Sequence, residues 1–139
     1  MKILVSGSHG LVGTALVRSL TAEGHEVIRL VRRDHSFGSP EVEWHPNQGL
    51  IDAEHVEGLD AVVHLAGESI ASGRWTAEKK QKIRDSRVKG TELLSRSLAR
   101  LSRPPATLVC AAAISVVSDR GGVNRAERTR EWFSRRGLR

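Results

Sequence analysis

The sequence predicts an α/β protein with a parallel sheet, and two observations lead to this prediction. Short segments that are almost continuously apolar, such as "KILVS" and "DAVVHLAG", alternate with segments whose apolar residues recur at helical spacing. A glycine-rich turn, "GSHGLVG", joins the first apolar segment to the first helical one. Strands that are apolar on both faces need helices on both sides of the sheet, which is typical of parallel sheets.

Five segments are predicted as strands: residues 2–6, 25–31, 42–45, 60–67 and 106–114. The first helix should end just before Gly24, which is suited to a left-handed C-cap. The second helix should begin after a Thr76 N-cap and run on until Pro104 stops it. The apolar residues at helical spacing are Val12, Leu16 and Leu20 in the first helix and Ile83, Leu94, Leu98 and Leu101 in the second.

Composition indicates one cytoplasmic domain without membrane or nucleic-acid partners. The 139 residues are 39% hydrophobic, enough for a modest core. No apolar stretch approaches the length of a membrane span, and no signal-peptide pattern opens the sequence. The single cysteine, Cys110, is expected to be a buried, inert thiol. The net charge of +6 is concentrated in residues 121–139, where six Arg face two Glu, and no nucleic-acid motif accompanies them.

The glycine turn predicts a phosphate-binding loop. Gly7, Gly10 and Gly13 have the spacing G-x-x-G-x-x-G between a strand and a helix. There, backbone N–H groups can approach a pyrophosphate at the positive end of the helix, and a Cβ would block the approach. A tight turn can need glycine without any ligand, but the βαβ setting favours a dinucleotide. The predicted fold is thus a Rossmann-like, doubly wound parallel sheet, incomplete at about five strands.

The end of the second strand favours NADP over NAD. NAD-binding folds usually place Asp or Glu there for the ribose hydroxyls, whereas a nearby Arg suits a 2′-phosphate. In this chain Val31 takes the place of the acid, and Arg32 and Arg33 follow it. NAD is the alternative cofactor, because the carboxylate of Asp34 is also nearby. The alternative without any ligand is that these charged residues form a solvated loop.

Four segments resemble the N-terminal half of a known family: "SGSHGLVG", "DAVVHLAGESIASGRWT", "IRDSRVKGTELL" and "DRG". They are similar to the epimerase-like atypical short-chain dehydrogenase/reductases of the NAD-dependent epimerase/dehydratase superfamily. The resemblance covers residues 1–121 and implies an NAD(P)-binding epimerase-like oxidoreductase with an unknown small-molecule substrate. The implied cofactor-binding residues are Gly7, Gly10, Leu11, Val12, Gly13, Arg32, Arg33, Ala66, Gly67 and Arg87, the last in the place of an asparagine.

Other polar candidates are interpreted as structural. His64, in a buried strand, is expected to be a satisfied core histidine. Glu68 is expected to be a loop carboxylate exposed to water, with a substrate contact as the alternative. Gly90 should cost about 1 kcal/mol inside a helix, and we expect it to allow close packing on the sheet. The spacing of the histidines matches no metal motif.

No catalytic residue can be assigned. Typical members of the superfamily use a Tyr and a Lys four residues apart, with a Ser or Thr that polarises the substrate oxygen, whereas this chain contains no tyrosine. Ala112 stands where relatives have a serine, and Ser115 and Ser118 are expected to be surface serines. The atypical branch often lacks the pair, so its absence does not exclude the family.

Three hypotheses follow for the function. The first is an NADP-binding fragment, residues 1–121, of an epimerase-like oxidoreductase whose activity is lost or severely reduced. The second is a non-catalytic dinucleotide-binding module. The third and weakest is nucleic-acid binding through the basic tail, residues 122–139, which we expect to be frame-shifted and disordered.

Sequencing the coding DNA tests the frame shift. After "DRG", relatives resemble D-E-L-T-E and then, further on, G-F-L-A-E-V-C. A permitted back-translation of residues 122–139, with degenerate bases chosen to fit, encodes E-L-T-E and G-F-L-A-E-V-C when read one base later. We therefore expect the frame one base on to encode this continuation. A stop codon before the second stretch, or an unrelated sequence, would disprove the frame shift and make the tail a candidate binding element.

Overall fold

β1 lies at the centre of a six-stranded sheet in the computed structural model, which describes residues 1–32, 40–52, 54–70 and 73–111. The order of the strands in the sheet is β4-β3-β2-β1-β5-β6. The strands are β1 (Lys2–Ser6), β2 (Glu26–Val31), β3 (Glu41–His45), β4 (Leu50–Ile51), β5 (Ala61–His64) and β6 (Thr107–Cys110). The helices are α1 (Leu11–Ala22) and α2 (Ala77–Leu98), and a short 3₁₀ turn covers Glu54–Val56.

The five predicted strands are present and parallel, which confirms the predicted fold class. β1 pairs with β2 on one side and with β5 on the other, so that Ser6 lies between Leu30 and His64. The chain therefore reverses its winding direction between β1 and β5, the switch point where doubly wound folds bind ligands at the carboxyl ends of the strands. The expectation of about five strands omitted β4, a two-residue antiparallel partner of β3.

Each face of the sheet packs against one helix. Val17 of α1 joins Ile3, Val5 and Val27 in a small core on one face. On the other face, Leu94 and Leu98 of α2 pack into a larger core that includes Leu4, Leu30, Val42, Trp44 and Val62. β1, β2 and β5 therefore carry apolar side chains toward both faces, as the sequence predicted, whereas β3 alternates polar and apolar residues.

The first helix differs from the prediction at its start. Gly24 follows the helix with φ +79°, which confirms the left-handed residue at its C-terminal end. Val12, however, does not pack on the sheet: its side chain is 65% exposed, and Leu11 beside it is 93% exposed. Leu16 and Leu20 contact the core as expected. The first turn of α1 thus projects beyond the edge of the sheet.

The second helix is shorter than predicted. Thr76 is its N-cap and accepts a hydrogen bond from Lys79 N at 3.2 Å, as expected. The helix ends at Leu98 and does not continue to Pro104. Tight backbone bonds from Arg100 N to the carbonyl of residue 97 and from Leu101 N to that of residue 98 turn the chain there. This turn buries Leu101 in the larger core.

β6 leaves part of the sheet uncovered by the described residues. Val109 lies beside Val63 in the parallel register, and its side chain is 51% exposed. Cys110 is half-buried, less than predicted, and burial raises the pKa of its thiol, which keeps it protonated and weakly nucleophilic. Within the part of the chain that the structure describes, no helix is long and apolar enough to cross a membrane.

Candidate cofactor site

The glycine turn closes on itself and on the end of β5. Gly7 has φ +69°, a conformation that favours glycine, and its carbonyl accepts a hydrogen bond from Gly10 N at 3.0 Å. A Cβ on Gly13 would lie 2.1 Å from the same carbonyl oxygen. A Cβ on Gly7 would lie 2.8 Å from Ala66 N. The first and third glycines therefore allow backbone to touch backbone.

The second glycine faces outward and leaves the end of α1 open. Gly10 is the N-cap residue of α1, and no side chain caps the helix. The first turn carries no acidic side chain. Because the first N–H groups of a helix have no partner within it, this end offers donors and positive partial charge to an anion. The turn therefore fits a pyrophosphate, as the sequence predicted.

Ser6 connects the ends of β1 and β5. Its hydroxyl is buried and accepts hydrogen bonds from Leu65 N and Ala66 N, both at 3.2 Å. With both lone pairs used, the hydroxyl proton points to His64 Nδ1, which lies 2.6 Å from Ser6 Oγ. This arrangement assigns the remaining ring proton of His64 to Nε2. One hydroxyl thus orients the backbone that leads into Ala66 and Gly67.

His64 is a core histidine, but only one of its two ring nitrogens has a hydrogen-bond partner among the described residues. Its side chain is 3% exposed and meets the Trp44 ring edge-on, with centroids 5.7 Å apart. Nε2 has no hydrogen-bond partner among the described residues. Burial, and secondarily the charge of Arg87, lowers the pKa of His64 to about 4, so the ring is neutral at pH 7. The expectation of full satisfaction was wrong at this atom.

α2 approaches this pair closely at Gly90, as expected. A Cβ at residue 90 would lie 3.4 Å from Trp44 Cη2 and 3.7 Å from His64 Nε2. Both distances are ordinary van der Waals contacts, so an alanine would also fit here, and the rings come from two different strands. The backbone of α2 at Gly90 thus packs close to the strand ends, where the helix can form one wall of a binding groove.

Two adjoining grooves cross the carboxyl edge of the sheet. One, of about 760 Å³, runs over the glycine turn and is lined there by Gly7 and Gly10. The other, of about 380 Å³, lies against α2 and is lined there by Lys82 and Ser86. Four residues line both grooves and make them continuous: Arg32, Trp44, Ala66 and Gly67.

The predicted site residues fall into three groups. Gly7, Gly10, Arg32, Ala66 and Gly67 line the grooves together. The remaining described candidates lie beside them: Gly13 is buried under the turn, and Leu11 and Val12 are exposed on the first turn of α1. Arg33 lies outside the described residues, as do the serines that were considered for catalysis, Ser115 and Ser118.

Arg87 lies behind the grooves and joins two strand ends. A Cβ on Gly67 would lie 2.5 Å from Arg87 Nε, so the guanidinium rests directly against this glycine. Arg87 Nη1 also donates a hydrogen bond to the carbonyl of Ala111 at 3.4 Å. The side chain therefore spans the ends of β5 and β6, at the edge from which the chain continues.

The Glu68 side chain is 37% exposed, in line with the expected loop carboxylate, but it is also held in place. Its Oε1 accepts a hydrogen bond from Lys79 Nζ at 2.7 Å, and its backbone N–H donates to Ser86 Oγ at 2.9 Å. The bond from Lys79, followed by the charge of Lys79, lowers the pKa of Glu68. Burial opposes this shift, and the charges of Lys82 and Arg32, which line the same groove, lower the pKa slightly further.

Several groove residues were missed by the sequence interpretation, and His9, Trp44 and Lys82 are the three that could bear most on a ligand. Trp44 could have been found, because it lies near the end of a parallel strand, where ligand-facing groups of this fold collect. His9 lies within the glycine turn itself and received no role. Lys82 belongs to a run of charges on α2, which by itself indicates only a solvated face. No cluster of potential metal ligands occurs in the described ranges.

Comparison with known proteins identifies what this arrangement resembles. The model of the NAD dependent epimerase/dehydratase family matches residues 3–132. Epimerase family protein Mb2239 of Mycobacterium bovis is 42% identical over 112 residues, which are 81% of this chain and 36% of the relative. Human epimerase family protein SDR39U1 is 32% identical over 117 residues, 83% of this chain and 38% of the relative. The chain thus spans less than two fifths of these relatives' length.

Solved structures agree with the fold. The crystal structure of human SDR39U1 with NADPH superposes with a TM-score of 0.69 at 31% identity, over 83% of this chain and 37% of that one. A nucleoside-diphosphate sugar epimerase from Corynebacterium glutamicum gives 0.66 at 34% identity, over 88% and 25%. A short-chain dehydrogenase/reductase superfamily protein from Agrobacterium tumefaciens with bound NAD gives 0.62 at 28% identity, over 81% and 33%.

Substitutions of two glycines should separate folding from binding. In Gly13→Ala the new methyl would meet a backbone oxygen 2.1 Å away, so the turn must move. We expect the free energy of unfolding to fall by about 3 kcal/mol, the upper end for overpacking. In Gly10→Ala the methyl would lie 3.3 Å from that oxygen, on the outer side of the turn. This contact is tight but needs a shift of only a few tenths of an ångström, so we expect a loss of stability of about 1 kcal/mol or less at this N-cap, together with weaker NADPH binding.

Urea unfolding followed by circular dichroism measures the first effect, and NADPH fluorescence titration measures the second. Equal stability of the Gly13→Ala variant and the parent chain would contradict the backbone contact. Unchanged NADPH affinity of the Gly10→Ala variant would contradict the placement of the pyrophosphate at this glycine.

Proposed function

We propose that this chain, which belongs to the NAD dependent epimerase/dehydratase family, binds a nicotinamide dinucleotide at the carboxyl edge of its sheet and prefers NADP. The site would hold the pyrophosphate at the open end of α1, over Gly7 and Gly10. From there the adenosine would extend along the groove past Ala66 and Gly67. Structural relatives crystallised with NADPH or NAD support a cofactor of this class.

The position of Arg32 is the observation that carries the preference for NADP. Arg32 follows the last residue of β2 and lines both grooves, where NAD-binding folds usually place a carboxylate for the ribose hydroxyls. A guanidinium there can bind a phosphate through two parallel hydrogen bonds. Glu41 lines the groove over the glycine turn, so the groove is not uniformly positive. We propose that Arg32 contacts the 2′-phosphate.

We infer that this chain can bind the cofactor but lacks the groups that catalysis needs. A bound nicotinamide supplies hydride transfer, whereas the protein must orient it and move a proton at the substrate. The chain contains no tyrosine, and Ala112 stands where relatives have the strand serine. We propose that residues 1–121 form the dinucleotide-binding domain of an epimerase-like oxidoreductase, that residues 122–139 do not belong to that domain, and that this form has no activity. A dinucleotide-binding module without a catalytic parent is the second candidate.

Removing the guanidinium should abolish the preference for NADPH. A hydrogen bond to a charged group contributes about 1.5–3 kcal/mol, so we expect Arg32→Ala to weaken NADPH binding about tenfold or more. NADH affinity should change little, because NADH has no 2′-phosphate. Isothermal titration of both nucleotides measures this, with Arg18→Ala on the exposed face of α1 as the matched control. Equal affinities for NADPH and NADH in the parent chain, unaltered by Arg32→Ala, would exclude the phosphate contact.

The purified chain should show no turnover. We expect no change in the nicotinamide absorbance, and no epimerised product, with sugar nucleotides or simple carbonyl compounds. The missing proton-transfer groups normally contribute about a hundredfold to ten-thousandfold. Turnover that persists in Ser115→Ala and Ser118→Ala would show that the active site lies elsewhere in the chain.

A further inference from the structure

The groove against α2 carries more positive charge than the groove over the glycine turn. It is lined by Arg32 and by two lysines of α2, Lys82 and Lys89, together with the carboxylates of Glu68 and Asp85. Arg32 lies at the end of β2, while the lysines come from a helix that follows β5. An anion in this groove would therefore meet cations from two separate elements.

Of the lysines around this groove, Lys82 is the one without an ion pair to a described residue, and Arg32 likewise has none. Lys79 is bound to Glu68 at 2.7 Å, and its side chain is only 15% exposed. Lys89 pairs with Asp85 at 3.3 Å. Asp85 also accepts a hydrogen bond from Gln81 at 2.6 Å. Lys82 is exposed, and no carboxylate of the described residues lies within ion-pair distance of it.

Lys82, Arg32 and Glu68 line the same groove. The charges of Lys82 and Arg32 both lower the pKa of Glu68, the carboxylate that follows Gly67 on the groove wall. Since Glu68 is already neutralised by Lys79, the field of the other two cations is available to a second anion nearby. A group that binds between them must carry at least two oxygen acceptors with negative charge, as a phosphate monoester does.

We propose that Lys82 is a specificity residue that, together with Arg32, binds the 2′-phosphate of the adenosine in this groove. This inference rests on the proposed dinucleotide site. The inference gives α2 a contact with the cofactor through Lys82, which the run of charged residues in the helix sequence did not indicate. The guanidinium supplies paired donors, and the ammonium supplies a compact charge that can follow the phosphate.

The test uses adenosine fragments, because these omit the nicotinamide half. Adenosine 2′,5′-bisphosphate and adenosine 5′-monophosphate are titrated calorimetrically into the full chain, into Lys82→Ala and into Lys80→Ala. Lys80 is exposed on the same helix but does not line the groove, so it controls for the change in net charge. Thermal unfolding of each variant checks that the fold is retained.

We expect Lys82→Ala to bind the bisphosphate about tenfold less tightly and the monophosphate within about twofold of the parent chain. Lys80→Ala should bind both as the parent does. If Lys82→Ala leaves the bisphosphate affinity unchanged, or weakens both fragments equally, the contact with the 2′-phosphate is excluded while the dinucleotide site stands. A parent chain that binds neither fragment nor NADPH would overturn the proposed function together with this inference.

Discussion

The contact between the Gly7 carbonyl and Gly13 is the constraint on which the candidate site depends. The oxygen occupies the space where a Cβ of residue 13 would be, so β1 can turn sharply and α1 can begin directly over the strand. Only this close approach places the open end of α1 at the carboxyl edge of the central strand. Gly7 needs its left-handed conformation for the same turn, and it also touches the backbone of Ala66.

A second layer of polar contacts holds the strand ends beneath this turn. The Ser6 hydroxyl fixes two backbone N–H groups of the segment after β5 and orients His64 at the same time. The Nδ1 atom of a neutral His64 accepts a hydrogen bond from the Ser6 hydroxyl. A protonated ring would instead have to donate a hydrogen bond from Nδ1, which would disrupt the arrangement. Burial keeps the ring neutral, since its pKa is lowered to about 4. The hydrogen bond between Ser6 and His64 is therefore compatible with the core only when the imidazole is neutral, and this is also the state in which Ser6 can hold the strand end of the site.

Local patterns predicted most of the fold but only part of the site. β1, β2 and β5 were visible as apolar runs, although only β1 is fully buried on both faces, and Thr76 was visible as a cap. β4 was missed because two residues carry no periodicity, although the turn before it contains Pro46 and a left-handed Gly49. The end of α2 was misplaced because Leu101 continues the helical spacing while a tight turn, not a helix, buries it.

The site residues that escaped the sequence are those that depend on long-range contacts. Glu68 and Lys79 are separated by a loop and the start of α2, and nothing in their spacing indicates an ion pair. Trp44 reaches the groove only because β3 lies beside β2 in the sheet. A glycine motif can be found in the sequence because it reflects a local bend of the backbone. A groove wall cannot be found in this way, because it forms only where elements distant in the sequence meet.

The groove residues and the proton-transfer residues of typical relatives come from different parts of the chain, so a dinucleotide site does not require the catalytic groups. The residues that line the grooves lie between Gly7 and Lys89, on the turns and strand ends around the switch point and on α2. The hydroxyl groups with which typical relatives move protons would follow β6 in the sequence. Because the proposed phosphate and adenosine contacts precede that point, they would need only β1, α1, β2, β3, β5 and α2 to be in place. On this proposal, dinucleotide affinity and turnover depend on different parts of the chain.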